Sequence, residues 1–143
     1  MSVLPVKMVV FDSKVVDSLF TYSRMAYPRE GILIMRGKSK KGVVEVTSVV
    51  IPPGADHGPA FSAFSWWMLP IDFSYVGVAH SHPSGNHHPS HEDLLHATGK
   101  VMVIMGWPYA TTAANLGVYD HNGNSIPFEV KSGLAKDPPD YGL

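Results

Sequence analysis

The 143-residue chain contains no cysteine, which excludes disulfides, thiolate metal sites and cysteine nucleophiles. Any bound metal must then be held by histidine, carboxylate or water. No apolar run reaches the ~18–20 residues that a membrane span needs. The N-terminus lacks a basic segment followed by an apolar stretch and cleavage site. A cytoplasmic location with no membrane partner is therefore expected. Charge of one sign is also lacking: 11 Lys and Arg face 12 Asp and Glu, a net charge of -1, which argues against a nucleic-acid partner. The local cluster Arg36, Lys38, Lys40 and Lys41 reads as a solvated turn between two strands. Charged residues are only 16 % of the chain and hydrophobic ones 45 %, a balance that supports a packed core. The length fits one domain over 1–143. Its last stretch, about 131–143 with Pro138-Pro139, reads as a frayed tail.

Residues 6–11 form a short β-rich segment. Asp12 or Ser13 can cap the helix that follows, where Val15, Val16, Leu19, Phe20 and Met25 recur at three- and four-residue steps and predict one apolar face. Pro28 forbids its continuation. Residues 31–36 read as a buried strand, 37–42 as a polar turn and 43–51 as a β-branched strand that completes a hairpin. Residues 75–79 and 101–105 are further strands, and a helix is expected from Ser90. Asn122-Gly123, between the β-prone segments 117–119 and 126–130, predicts a second hairpin. Strands and helices alternate irregularly, which favours a single mixed sheet with a few helices over a strictly parallel doubly wound fold.

The informative stretch is HSHPSGNHHPSHED, residues 80–93. Histidines two apart on a strand point to the same face, so His80 and His82 can share one ion. Pro83 keeps His82 extended and then stops the ladder. Ser90 stands at a helix entrance after Pro89, and Asp93 falls in the first turn, where the helix dipole favours a carboxylate anion. Two imidazoles and one carboxylate leave a fourth position for water, as in open catalytic zinc sites. Such water also needs a base. Glu30 lies at the mouth of the sheet, Glu45 inside a strand, Glu92 beside the metal segment and Glu129 near the end of the chain. Glu30 is the best placed of these and the others are weaker choices, although taken alone it reads as a solvated turn carboxylate.

His80-x-His82, seven residues, then Ser90-x-x-Asp93, with Pro-x-Glu-Gly upstream at 28–31, resembles the JAMM motif of the MPN+ metalloproteases. The phrase GVAHSHPSGNHHPSHEDL is similar to archaeal and bacterial members in particular. The resemblance implies an α/β (α+β) fold: a single curved mixed sheet flanked by helices, like that of cytidine deaminases. It implies one Zn2+ with a catalytic water, held by His80, His82 and Asp93. It implies Glu30 as general acid/base and Ser90 as the group that helps stabilise the oxyanion.

The activity so implied is that of a zinc-dependent isopeptidase or peptidase. Its bond would lie at the C-terminus of a ubiquitin-like protein, so the expected partner is a ubiquitin-like or sulfur-carrier protein with an extended C-terminal tail. Processing of a sulfur carrier or a small amide, and an MPN-type scaffold module, are the alternatives. His87 and His88 could bind a second metal or touch substrate, and His91 or His96 could orient a ligand. His57 and His121 read as loop residues. Phe61, Phe64, Trp66 and Trp67 fit either the core or the rim of a substrate groove.

Overall fold

The computed structural model of the chain describes residues 5–52, 74–84, 88–89 and 99–134. Seven strands make one mixed sheet: β1 (Met8–Asp12), β2 (Ile32–Lys40), β3 (Val43–Val50), β4 (Tyr75–His82), β5 (Val101–Gly106), β6 (Leu116–Tyr119) and β7 (Phe128–Lys131). They lie in the order β6-β5-β4-β2-β3-β1-β7. The pairs β1–β3, β1–β7 and β4–β5 are parallel, and β2–β3, β2–β4 and β5–β6 antiparallel. The mixed sheet expected from irregular alternation is what forms.

One helix, α1 (Ser13–Ala26), follows β1 directly. The Asp12 carboxylate caps it, accepting from the Lys14 amide at 2.9 Å. Val15, Val16, Leu19 and Phe20 are buried as the spacing predicts, but the stripe continues to Ser23. Met25 is 76 % exposed. The reason is angular: Met25 lies six residues beyond Leu19, so at 3.6 residues per turn it faces away from the stripe. Buried Ser23 satisfies its hydroxyl by donating to the Leu19 carbonyl at 2.7 Å. The apolar face covers one side of the sheet, against Val9, Phe11, Leu33, Met35, Val44, Val46, Val103 and Met105.

Two expected connections differ. The polar turn placed at 37–42 is mostly strand: β2 runs on to Lys40 and only Lys41-Gly42, at φ 53° and 82°, makes the turn. Left-handed backbone at both positions is what a two-residue hairpin of this hand needs. A bulge at Arg36/Gly37 resets the register. A Cβ on Gly37 would sit 1.7 Å from the Glu45 carbonyl oxygen, so only glycine permits that approach.

The second hairpin does not form as a strand pair. The Asn122-Gly123 turn is present, but β6 ends at one edge of the sheet and β7 pairs with β1 at the other. A single bridge, Tyr119–Ser125, remains of the expected ladder. Seven flat strands at ~4.8 Å spacing would part the two edges by ~29 Å. The eight residues from Asp120 to Pro127 could cover that only fully extended, and part of them is spent in the turn. The sheet therefore curls.

Residues 131–134 of the stretch expected as a tail are described, and 135–143 lie outside the described residues. Lys131 is the last residue of β7, and the Leu134 amide donates to Asp12 at 2.9 Å. No helix among the described residues is long and apolar enough to cross a membrane.

Candidate metal centre

β4 is central and buried along nearly its whole length. At its C-terminal end His80 is 2 % exposed and His82 half-buried. Both imidazoles lie on the face turned away from α1, with ring centroids 5.2 Å apart. The antiparallel register pairs Ile32 with His80. Extended by two residues it sets Glu30 opposite His82 and on the same face. That extension is why a carboxylate fifty residues upstream reaches the histidines.

Glu30 Oε1 lies 3.0 Å from His80 Nδ1 and 4.0 Å from His82 Nε2. One ligand atom from each of the three side chains falls within 4.8 Å of the others, the one such group among the described residues. Two imidazoles and a carboxylate at this spacing are chemically suited to a divalent cation such as zinc. The Glu30 carboxylate can thus either bind the cation or act on water beside it. Ser90 and Asp93 lie outside the described residues, as do His57, His87, His91, His96 and the segment with Phe61, Phe64, Trp66 and Trp67.

The structure adds residues that the sequence reading passed over. Ser81, fully buried between the two histidines, points to the opposite face. Its amide donates to the Gly31 carbonyl at 3.0 Å, and its Oγ accepts from the Gly31 amide at 2.7 Å. The residue next to Glu30 is thereby clamped to the residue between the two histidines. Alternation along His80-Ser81-His82 was the available signal: whatever stands between two ligands on a strand supports them from behind.

Tyr109 lies below this clamp, 1 % exposed. Its hydroxyl faces Ser81 but makes no hydrogen bond of normal geometry. Burial pushes its pKa up, the Ser81 hydroxyl opposes that rise, and the charges of Glu30 and Tyr27 add to it.

His88 Nδ1 and the Tyr119 hydroxyl lie 3.0 Å apart in a hydrogen bond. Tyr119 belongs to the small cluster with Met102 and Ile104 on the histidine face. Its own pKa is raised by burial. His121 is exposed in the 121–122 turn.

The profile of the family described as prokaryotic homologs of the JAB domain matches residues 12–117. A protein of Haloferax volcanii named a probable metalloprotease is 30 % identical over 132 residues, covering 87 % of this chain and 81 % of that protein. Among solved structures, a JAB1/MPN domain protein from Archaeoglobus fulgidus superposes with TM-score 0.62 at 24 % identity, over 84 % of this chain and 96 % of that one. A structure described as a metalloprotease-like JAMM zinc site in the proteasome and signalosome gives 0.61 at 21 %, over 90 % and 99 %. A protein from Desulfitobacterium hafniense gives 0.64 at 18 %, over 89 % and 95 %. At these identities the structural likeness establishes the fold.

Proposed function

The chain belongs to the prokaryotic JAB-domain family, and from that premise we propose that it is a zinc-dependent metallopeptidase that hydrolyses an amide bond at the C-terminus of a ubiquitin-like or sulfur-carrier protein. The observation that carries the reading is the convergence of Glu30, His80 and His82 at the exposed end of a buried strand. The name of the Haloferax volcanii relative supports the metalloprotease chemistry. The choice of a ubiquitin-like substrate follows from the motif alone.

His80 and His82, with Asp93 as the third ligand, would hold the ion. When bound, zinc supplies the acidity that makes hydroxide available near neutral pH. The chain's own groups do the rest. Glu30 accepts the proton that water gives up, and its carboxylate is aimed at the histidine pair through Oε1. As the C–N bond breaks, Glu30 delivers that proton to the departing amine. The Ser90 hydroxyl opposes the charge that grows on the carbonyl oxygen, a contribution of about 3–4 kcal/mol for a single well-placed donor. A lysine Nε as leaving amine makes the reaction an isopeptide cleavage, and an α-amine makes it a peptide cleavage.

Metal content and activity are measured together. Protein purified without added metal is expected to carry about one zinc per chain, lost in His82→Ala. Glu30→Gln should keep its zinc and lose ~10²–10⁴-fold in cleavage of a ubiquitin-like fusion. Zinc lost in Glu30→Gln would make Glu30 a ligand instead of the base. Full activity in that variant would reject its catalytic role altogether.

A further inference from the structure

The lysine-rich hairpin stands at the end of the sheet remote from the candidate metal centre. β2 runs from Ile32, opposite His80, to Lys40, which at ~3.3 Å per residue puts its far end roughly 20–25 Å from the histidines. β4 begins at Tyr75, paired with Arg36, so the tip of the β2–β3 hairpin projects past it. Lys100 stands on the other flank of β4, just before β5, with its amide donating to the Val76 carbonyl at 2.8 Å. Its ammonium reaches past the start of β4 and donates to the Ser39 hydroxyl oxygen.

Beside this bridge lies an open cavity of about 200 Å³. Val6 and buried Val44 give it an apolar part, while Ser39, Lys40, Lys41 and Lys100 give it polar walls. Gly42 also lines it, and the Lys7 stem lies against Gly42: a Cβ there would meet Lys7 Cγ at 3.3 Å. Four lysines from three stretches of chain thus gather round one small space. Among the described residues none of the four has a carboxylate within ion-pair distance, whereas their neighbour Lys38 pairs with Glu45 at 3.9 Å. Like charges held together repel, and a bound anion would offset that repulsion.

We propose that this cavity binds a compact, multiply charged phosphate anion, either an inorganic polyphosphate or the polyphosphate tail of a nucleotide. The inference goes beyond the hydrolase reading and does not depend on it. An ammonium is a compact point charge with three donors, suited to the many oxygens of linked phosphates. Lys100 gives one N–H to Ser39 and keeps two for a ligand. The Ser39 hydroxyl, having accepted that bond, can donate its own proton to a phosphate oxygen. Pinning Lys100 in advance lowers the ordering cost of binding. One carboxylate would match only one of the four charges. An extended nucleic-acid strand needs a basic groove that tracks its backbone, and here the charge closes round a single concavity.

Calorimetric titration of the full chain with sodium tripolyphosphate reads the site directly. The protein is first stripped of metal by a chelator that is then dialysed away, so that no cation competes for the phosphate. Saturable one-to-one binding is expected, weakening as salt rises because exposed charges are screened. Lys100→Ala should weaken it about tenfold, the size of one charge-assisted hydrogen bond. Lys40→Gln combined with Lys41→Gln should weaken it further. Lys38→Gln and His82→Ala should bind as wild type does.

ATP binding as tightly as tripolyphosphate supports the site and assigns a nucleotide source. Tripolyphosphate binding without ATP supports it and assigns an inorganic one. No binding, the same loss in Lys38→Gln as in Lys100→Ala, or loss in His82→Ala overturns the proposal. So does AMP binding as tightly as tripolyphosphate, because a single phosphate would then suffice. A single-stranded oligonucleotide that binds more tightly, and is lost in the same lysine variants, would also overturn it.

Discussion

Ser81 is the residue on which the geometry of the centre turns. Its backbone and side chain both engage Gly31, so the Glu30 backbone is held in register with the two histidines on either side of Ser81. Removing the hydroxyl leaves the Gly31 amide buried without its acceptor, a loss of about 1–3 kcal/mol. Ser81→Ala should therefore lower the urea midpoint and reduce kcat more than it reduces zinc content. Ser81→Thr, which keeps an oxygen at the same place, should recover much of both. Equal stability and turnover in Ser81→Ala would remove the clamp from the account.

At the scale of elements, the junction of β1 and α1 is tied to the end of the chain's last described strand. Asp12 is 1 % exposed, yet both carboxylate oxygens are used: Oδ2 accepts from the Lys14 amide and Oδ1 from the Leu134 amide. A helix cap contributes about 1 kcal/mol, and an amide left without its partner costs about 1–3 kcal/mol. Asp12→Ala is thus expected to destabilise the protein by about 2–4 kcal/mol in urea unfolding. A value near zero would show that neither amide depends on Asp12. The Asp120 turn is a second local device. Burial would raise its carboxyl pKa, but bonds from the Asn124 backbone and side chain and the Asn122 backbone, with the His121 charge, outweigh that and hold it below the usual range. This turn redirects the chain from β6 toward β7.

For the whole molecule, two distant stretches of chain meet at the centre: the segment leading into β2 brings Glu30, and β4 the histidines. A cation bound there stabilises only the folded arrangement, because the unfolded chain has no such convergence. At zinc a hundredfold above its dissociation constant the gain is ~2.7 kcal/mol, which for a domain of this size corresponds to roughly 5–10 °C in Tm. Adding chelator should lower the melting temperature of wild type by that amount, and should leave His82→Ala unchanged. Identical melting with and without chelator would mean that the three side chains hold no metal in solution.

Particular residues show how far the chain could be read before its fold was known. His80 and His82 were legible as a pair because alternation along a strand is local covalent geometry. The burial of Val15, Val16, Leu19 and Phe20 was legible for the same kind of reason. The charge of Lys38 and Lys40 suggests a turn and masks a strand that continues past the Gly37 bulge. Glu30 could be singled out only through the resemblance of the motif, since nothing within its own neighbourhood in the chain sets it apart from a solvated carboxylate.

By itself, then, the sequence determined what depends on spacing along one stretch of backbone: the apolar face of α1, the strands, the shared face of the histidines and the Lys41-Gly42 and Asn122-Gly123 turns. The tertiary structure alone decided which strands became neighbours. It set β7 beside β1, placed Glu30 opposite His82, put Ser81 behind them and brought Lys100 to Ser39. Pairing joins residues tens of positions apart, and its register reflects the packing of the whole curled sheet, which no local pattern encodes.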